Sequence, residues 1–177
     1  MTGEVRIALA VAGDARAIAE LHVRSWRWAY RGQLPDQLLA SLSVEAREEG
    51  WRTTLEGRDP SVRVWLATID GRQAGFCVSG GARGEEPRAS AGEIYAIYLE
   101  EDAQGHGIGR ALLDHAVADL RARGFAQAML WVLDTNGPAR RFYERAGWRA
   151  DGGSRVEHRG GAELLEVRYR LRLAEPA

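Results

Sequence analysis

The chain has 177 residues, 45% of them hydrophobic, and a formal net charge of -1 at pH 7. This length and apolar content allow one globular domain with a substantial core, and the near-zero charge argues against nucleic acid as a partner. No apolar run reaches the ~18 residues of a membrane span, and no segment resembles a signal peptide, so we expect a cytoplasmic protein with no membrane partner.

Two residue types narrow the chemistry further. All 24 basic residues are arginine, which excludes both a phosphate-binding GK[ST] loop and a Schiff-base lysine. Cys77 is the single cysteine, so an intrachain disulfide and a cysteine-based metal cluster are excluded. We expect no metal site.

The first third of the sequence predicts a strand followed by helices. EVRIALA (4–10) is typical of a strand, and DARAIAELHVRSWRWAY (14–30) is typical of a helix with Asp14 near its cap. One face of this helix is predicted to carry Ile18, Leu21, Ser25 and Trp28. LPDQLLASLSVEAREEGWRTTL (34–55) predicts a second helical region that breaks near residues 41–43.

The rest of the sequence alternates strands with helices. VRVWLATI (62–69) and QAGFCVSG (73–80) are predicted strands joined by an Asp70-Gly71 hairpin turn, and GEIYAIYLE (92–100) is a fourth strand after a polar loop over 81–90. A long helix runs from about residue 107 to residue 123 and stops at Gly124. A fifth strand (126–133) is followed by a short helix (138–146), with Asn136 as a candidate N-cap, Pro138 in the first turn and Gly147 behind it. A final hairpin (155–173) completes the described pattern. The order β-α-α-β-β-β-α-β-α-β-β indicates an α/β fold with a mixed sheet, as a single domain over residues 4–173.

Three glycines, Gly105, Gly107 and Gly109, stand where the long helix begins, although glycine is a poor helix former. A helix that directly follows a strand directs unpaired N–H groups and the positive end of its dipole beyond the strand end. Glycines let a phosphate approach such amides without meeting a Cβ atom. The dinucleotide-binding pattern GxGxxG does not fit, because Arg110 and Leu112 occupy positions that require small residues. The spacing therefore predicts an anion site, and a tight turn without a ligand is the alternative.

The segment QGHGIG (104–109) has the form Q/R-x-x-G-x-G/A, and LWVLDTNGPARRFYERAGW (130–148) follows one helix later. Together they resemble the GNAT superfamily of acyl-CoA-dependent N-acetyltransferases. The resemblance implies transfer of an acetyl group from acetyl-CoA to a primary amine by direct attack in a ternary complex. It also implies that the glycine loop holds the pyrophosphate and that the end of the fourth strand binds the pantetheine amides. The implied cofactor-binding residues are Ile97, Tyr98, Leu99, Gln104, Gly105, His106, Gly107, Ile108, Gly109, Arg110, Asn136 and Arg140.

The implied chemistry requires a base, because an amine acceptor is mostly protonated near pH 7. Glu93 stands eleven residues before Gln104, where some members of the superfamily carry a catalytic glutamate. A solvated or arginine-paired glutamate is the alternative, and Asp134 is a second candidate base. Tyr143 matches the tyrosine of the motif FYE, which the family places beside the thioester sulfur as an acid; a packed core tyrosine is compatible with that role. The backbone N–H near Leu99 is the implied donor to the oxyanion.

The acceptor is not identified by the sequence. A small amine, an amino acid, an aminoglycoside and a protein N-terminus all remain open as acceptors. Three candidate residues of the acceptor pocket are more typical of a core: His22, Trp26 and Tyr30. The other candidates are Trp131, His158 and Arg159. The small apolar neighbours of Cys77 in AGFCVSG argue against a covalent acyl-enzyme. A non-catalytic acyl-CoA-binding module is the alternative function, and a homodimer is also left open.

Overall fold

A computed structural model describes residues 3–57, 59–84 and 91–173, and in these ranges the chain forms seven strands and five helices. The strands are β1 (Val5–Leu9), β2 (Arg63–Ile69), β3 (Arg72–Gly81), β4 (Gly92–Leu99), β5 (Gln127–Leu133), β6 (Arg149–Arg159) and β7 (Ala162–Arg172). The helices are α1 (Ala15–Ala29), α2 (Asp36–Ala40), α3 (Val44–Leu55), α4 (Ile108–Ala122) and α5 (Gly137–Arg145). Of the predicted polar loop, β3 takes up residue 81, and residues 85–90 lie outside the described ranges.

The strands form one mixed sheet in the order β1-β2-β3-β4-β5-β7-β6. β4 and β5 run parallel, with Gly92 beside Ala128 and Ile94 beside Leu130, whereas β1–β2, β5–β7 and β6–β7 are antiparallel. A parallel pair needs a long crossover connection, and α4 lies in the one between β4 and β5. The mixed α/β fold is therefore confirmed.

Two predicted local features are found where the sequence placed them. The second helical region is divided into α2 and α3 at residues 41–43. Asp70 and Gly71 both have positive φ, 49° and 80°, which is the backbone of the tight hairpin turn that joins β2 to β3. In each case residues within the turn itself decide the conformation.

The chain divides into two compact units, built from the described residues of Met1–Val78 with Ala96–Ala116 and of Ser79–Tyr95 with Val117–Ala177. We call them unit 1 and unit 2. The division passes through β3, β4 and α4, and the single domain over residues 4–173 stays a prediction. No helix within the described ranges combines the length and the apolar character needed to cross a bilayer.

In unit 1, the buried face of α1 differs from the predicted one. Ile18, Leu21 and Ser25 are buried as expected, but the side chain of Trp28 is 48% exposed. At about 100° per residue, the buried stripe is centred between Ile18 and His22, and Trp28 lies past its edge. Asp14 is the residue before α1 as predicted, but its carboxylate accepts the N–H of Val11 (2.8 Å) instead of capping the helix.

In unit 2, the segment between β5 and β6 is bounded by the residues that the sequence indicated. Asn136 precedes α5 and accepts the N–H of Ala139 with its side chain (3.1 Å). Pro138 lies in the first turn, and Gly147 follows the helix with φ +89°. Gly124, just past α4, has φ +86°, as a left-handed C-terminal residue requires.

Candidate active site

The glycine loop, residues 104–109, connects β4 to α4 in unit 1. A short 3-10 turn (Glu101–Ala103) precedes it, and α4 begins at Ile108. Gly105 and Gly107 have φ of +77° and +81°, and a Cβ atom at either position would meet nothing within 4 Å. This left-handed backbone favours glycine, and residues 105–107 are exposed. The loop therefore offers bare main chain to a bulky anion at the start of a helix, and it fits a diphosphate.

The side chains around the loop differ in what they offer a ligand. Ile108 is 2% exposed, so only its main chain could contact a cofactor. Arg110 is exposed, and its Nε donates to both carboxylate oxygens of Asp114 (2.8 and 2.9 Å). His106 is exposed and Gln104 is partly buried. The cofactor-binding roles of these residues stay predictions, and they concern chiefly the main-chain atoms of the loop.

The end of β4 is attached to its neighbours through main-chain atoms. The hydroxyl of Ser25 on α1 donates to the carbonyl oxygen of Leu99 (3.3 Å), and the N–H of Glu100 donates to the carbonyl oxygen of Ala74 (2.9 Å). The parallel register with β5 covers Gly92 to Ile94, while β4 itself continues to Leu99. Ile97–Leu99 form the end of β4, which leads toward the glycine loop.

Trp26 on α1 belongs to a cluster of aromatic rings with His22 at its centre. The His22 ring lies 5.2–5.6 Å from the rings of Tyr98, Trp26, Trp51 and Phe76, and its Nδ1 accepts the indole N–H of Trp51 (3.2 Å). His22 and Tyr30 are both at least nine-tenths buried. The core interpretation therefore holds for these two residues. The partner Trp51 lies on α3, and no sequence signal connected it to His22.

Glu93 lies on β4 in unit 2 and is 1% exposed. Its Oε2 accepts the main-chain N–H of Arg83 (2.7 Å), and its Oε1 accepts Nη2 and Nε of the same arginine (2.8 and 3.3 Å). The Arg83 guanidinium also lies 3.8 Å from the centre of the Tyr95 ring, whose hydroxyl donates to the carbonyl oxygen of Gly81 (2.5 Å). The arginine-paired alternative is what the structure contains, and the role of Glu93 as a base stays a prediction.

Tyr143 lies on α5 in unit 2 among other aromatic side chains. It is 7% exposed, and its ring centre lies 5.2 Å from that of Phe142, 6.3 Å from Trp148 and 6.4 Å from Tyr169. This packing fixes the ring in one place, which suits a core tyrosine and a positioned acid equally well.

Arg140 and Asp134 form an ion pair at the start of α5. The Nη1 atom of Arg140 donates to Oδ1 (2.6 Å) and to the carbonyl oxygen (3.0 Å) of Asp134, and its Nε donates to the Tyr169 hydroxyl (3.2 Å). The bond to Tyr169 raises the pKa of Arg140. Asp134, the second candidate base, is therefore engaged by Arg140, and the predicted contact of Arg140 with the cofactor would use its remaining Nη2 donors.

The other candidate pocket residues lie on β5 and the final hairpin. Trp131 packs against Ala82, Ala91 and Met129, and two guanidinium groups approach its ring, Arg155 at 4.4 Å and Arg168 at 5.6 Å. Arg159 pairs with Glu157 (2.8 Å), and His158 is exposed. Sequence reasoning did not identify the buried carboxylate of this hairpin, Glu166, which binds Arg155 (2.7 Å).

Cys77 is fully buried, and this burial raises the pKa of its thiol to about 12. The thiol therefore stays protonated at ordinary pH, which argues against an acyl-enzyme on this residue. Within residues 3–57, 59–84 and 91–173, no three His, Cys, Asp or Glu side chains are grouped as a metal site would require.

Comparison with known proteins gives one consistent result. The sequence model of the Acetyltransferase (GNAT) family matches residues 16–148. YuaI, an uncharacterized N-acetyltransferase of Bacillus subtilis, is 37% identical over 133 residues, which are 74% of this chain and 72% of that protein. A solved GNAT-family structure from Desulfovibrio desulfuricans has 26% identity and a TM-score of 0.72, covering 97% of this chain and 100% of its own. The acetyltransferase YncA from Salmonella typhimurium, solved with acetyl-CoA, has 19% identity and a TM-score of 0.74 over 98% of this chain and 96% of its own; at that identity the likeness concerns the fold alone.

Proposed function

Because the chain belongs to the GNAT family of acetyltransferases, whose sequence model matches residues 16–148, we propose that it transfers the acetyl group of acetyl-CoA to a primary amine by direct attack in a ternary complex. The observation that carries this proposal is the exposed glycine loop at the start of α4, where Gly105 and Gly107 leave the main chain accessible. The acetyl-CoA found in a structure of the same fold supports the co-substrate.

Three parts of the chain would hold acetyl-CoA. The backbone from Gly105 to Arg110 would bind the pyrophosphate through N–H groups at the helix start. The main chain of Ile97–Leu99, at the end of β4, would bond the pantetheine amides as an added strand does. Asn136 uses its side-chain oxygen to cap α5, so its amide NH2 group is the part that would donate to the cofactor.

Acetyl-CoA, when bound, supplies an activated thioester, and the residues of this chain would manage the protons. Glu93 would accept a proton from the acceptor ammonium, directly or through a water molecule, so that the nitrogen lone pair can attack. The backbone N–H near Leu99 would donate to the oxygen that gains negative charge. The C–N bond forms in that attack, and Tyr143 would give a proton to the sulfur as the C–S bond then breaks. The second proton that the nitrogen loses as the amide forms would return the Tyr143 phenolate to its neutral form. Holding the two reactants together can itself lower the barrier by roughly 7–11 kcal/mol.

One observation favours a second candidate function. The carboxylate of Glu93 accepts three hydrogen bonds from Arg83, which leaves about one of its four acceptor positions for a proton. If this pair is purely structural, the chain would be an acyl-CoA-binding module that senses the cofactor without catalysis.

The test is release of free thiol from acetyl-CoA in the presence of a panel of amines: an alkylamine, an amino acid, an aminoglycoside and a peptide with a free N-terminus. We expect amine-dependent release that falls in Glu93→Gln while acetyl-CoA binding stays intact. The defect should shrink as pH approaches the pKa of the amine, since more acceptor then arrives neutral. Binding without release by any amine would favour the sensing module, and absence of acetyl-CoA binding would overturn both functions.

A further inference from the structure

The hydrogen bonds between Arg83 and Glu93 are divided unequally between the two carboxylate oxygens. Oε2 is held by the main-chain N–H of Arg83 (2.7 Å), whereas Oε1 is held by the guanidinium (2.8 and 3.3 Å). If the guanidinium swings away, the main-chain bond can still fix the carboxylate. Oε1 is thus the oxygen at which one cation can be exchanged for another without loss of the orientation of Glu93.

The guanidinium is the exposed partner of this buried oxygen. The Arg83 side chain is 48% exposed and that of Glu93 is 1% exposed, so solvent reaches the cation of the pair although the carboxylate is buried. The same guanidinium lies 3.8 Å from the centre of the Tyr95 ring. A carboxylate on one side and an aromatic face on another are the two features that bind an organic cation.

We propose that Arg83 occupies the position that the protonated acceptor amine takes, and that the amine displaces the guanidinium to reach Oε1 of Glu93. This inference rests on the proposed function and specifies its substrate class, a cationic alkylammonium. The exchange replaces one positive charge by another, so the buried carboxylate is never left uncompensated. An aromatic amine that is neutral near pH 7 offers no such replacement and should compete poorly with Arg83.

The test is steady-state thiol release with an alkylamine for the wild type, Arg83→Ala and Arg83→Met. The methionine variant keeps an apolar chain near Tyr95 but carries no charge, and thermal melting verifies that each variant folds. We expect the KM for the amine to fall about tenfold, the worth of one charge-assisted hydrogen bond, with the KM for acetyl-CoA unchanged. Methylguanidinium should compete with the amine in Arg83→Ala at concentrations that do not affect the wild type.

Arg123→Ala is the matched control, because Arg123 also pairs with a carboxylate, Asp119 (3.3 Å), and lies over an aromatic ring, Phe125 (5.4 Å). We expect this variant to leave the KM for the amine unchanged. An unchanged or higher KM in folded Arg83 variants overturns the inference alone. The inference alone is also overturned if the wild type has as low a KM for a neutral aromatic amine as for the alkylamine. Absence of thiol release from the wild type with every amine overturns the proposed function and the inference with it.

Discussion

Replacing Gly107 by alanine separates the effect of backbone strain from the effect of ligand contact. Gly107 has φ +81°, and a Cβ atom there would meet nothing within 4 Å. In the free protein the substitution therefore costs only the left-handed backbone, about 1–2 kcal/mol for a residue with a Cβ atom. For a chain of this size that free energy corresponds to a fall in Tm of about 2–8 °C, so the variant should remain folded.

The cost in the complex is of a different kind. Under the proposed function the loop holds the diphosphate, so the new methyl group would enter the space of the ligand, and acetyl-CoA would shift or lose main-chain hydrogen bonds. Loss of a single charge-assisted bond is worth about 1.5–3 kcal/mol, and we expect acetyl-CoA affinity to fall at least tenfold. Gly107→Val, with a bulkier side chain, should bind more weakly still. Isothermal titration calorimetry measures the affinity, and thermal melting measures the stability.

Gly57 provides the control, since it follows α3 with the same φ, +81°, and also has nothing within 4 Å of a Cβ position. Gly57→Ala should lower Tm by a similar amount and leave acetyl-CoA affinity unchanged. If folded Gly107→Ala binds acetyl-CoA as the wild type does, or if Gly57→Ala weakens binding equally, the glycine loop does not hold the diphosphate.

Four further predictions concern unit 2 and the core. Tyr143→Phe should lower turnover by roughly 10²–10⁴-fold with little change in acetyl-CoA affinity, as steady-state kinetics and calorimetry will measure. Cys77 should react with a thiol reagent only after unfolding, because burial raises its pKa to about 12. Ser79→Ala should raise the free energy of unfolding by about 1 kcal/mol, since the buried Ser79 hydroxyl has no hydrogen-bond partner within the described ranges; urea unfolding tests this. Burial alone would raise the pKa of Asp151, but hydrogen bonds from Gly153 and two arginines outweigh it and hold the pKa below its usual value. The stability that Asp151→Asn loses at pH 7 should therefore shrink as pH falls below about 4 and disappear below the lowered pKa of the folded protein.

Features decided by neighbouring residues were predictable from the sequence. The Asp70-Gly71 turn, the break between α2 and α3, and the cap at Asn136 each depend on residues a few positions apart. The glycine loop belongs to the same class, because a positive φ is available to glycine at little cost. Trp28 shows where a local argument fails: a spacing of three or four residues drifts around the helix, so the last member of a stripe can lie outside the buried face.

Contacts between distant residues were not predictable. Glu93 pairs with an arginine ten positions earlier, across a loop between two strands, and nothing in the spacing of these residues indicates it. The bond from Trp51 to His22 joins two helices that are separated by α2. Such pairs depend on strand register and helix packing, which a single sequence does not specify. Under the proposed function such pairs matter, because the arginine would change what Glu93 offers to an amine.

Direct transfer of an acetyl group from acetyl-CoA to an amine can be distinguished from transfer through the protein by mass spectrometry of both the protein and the acceptor. All 24 basic residues are arginine, so the protein has no lysine side chain that could accept the acetyl group without catalysis. We expect the acceptor to gain the mass of one acetyl group in the presence of protein and acetyl-CoA, while the protein keeps its own mass with or without amine. A stoichiometric acetyl adduct on Cys77 in the absence of amine, or an acceptor that never gains mass, would rule out direct transfer.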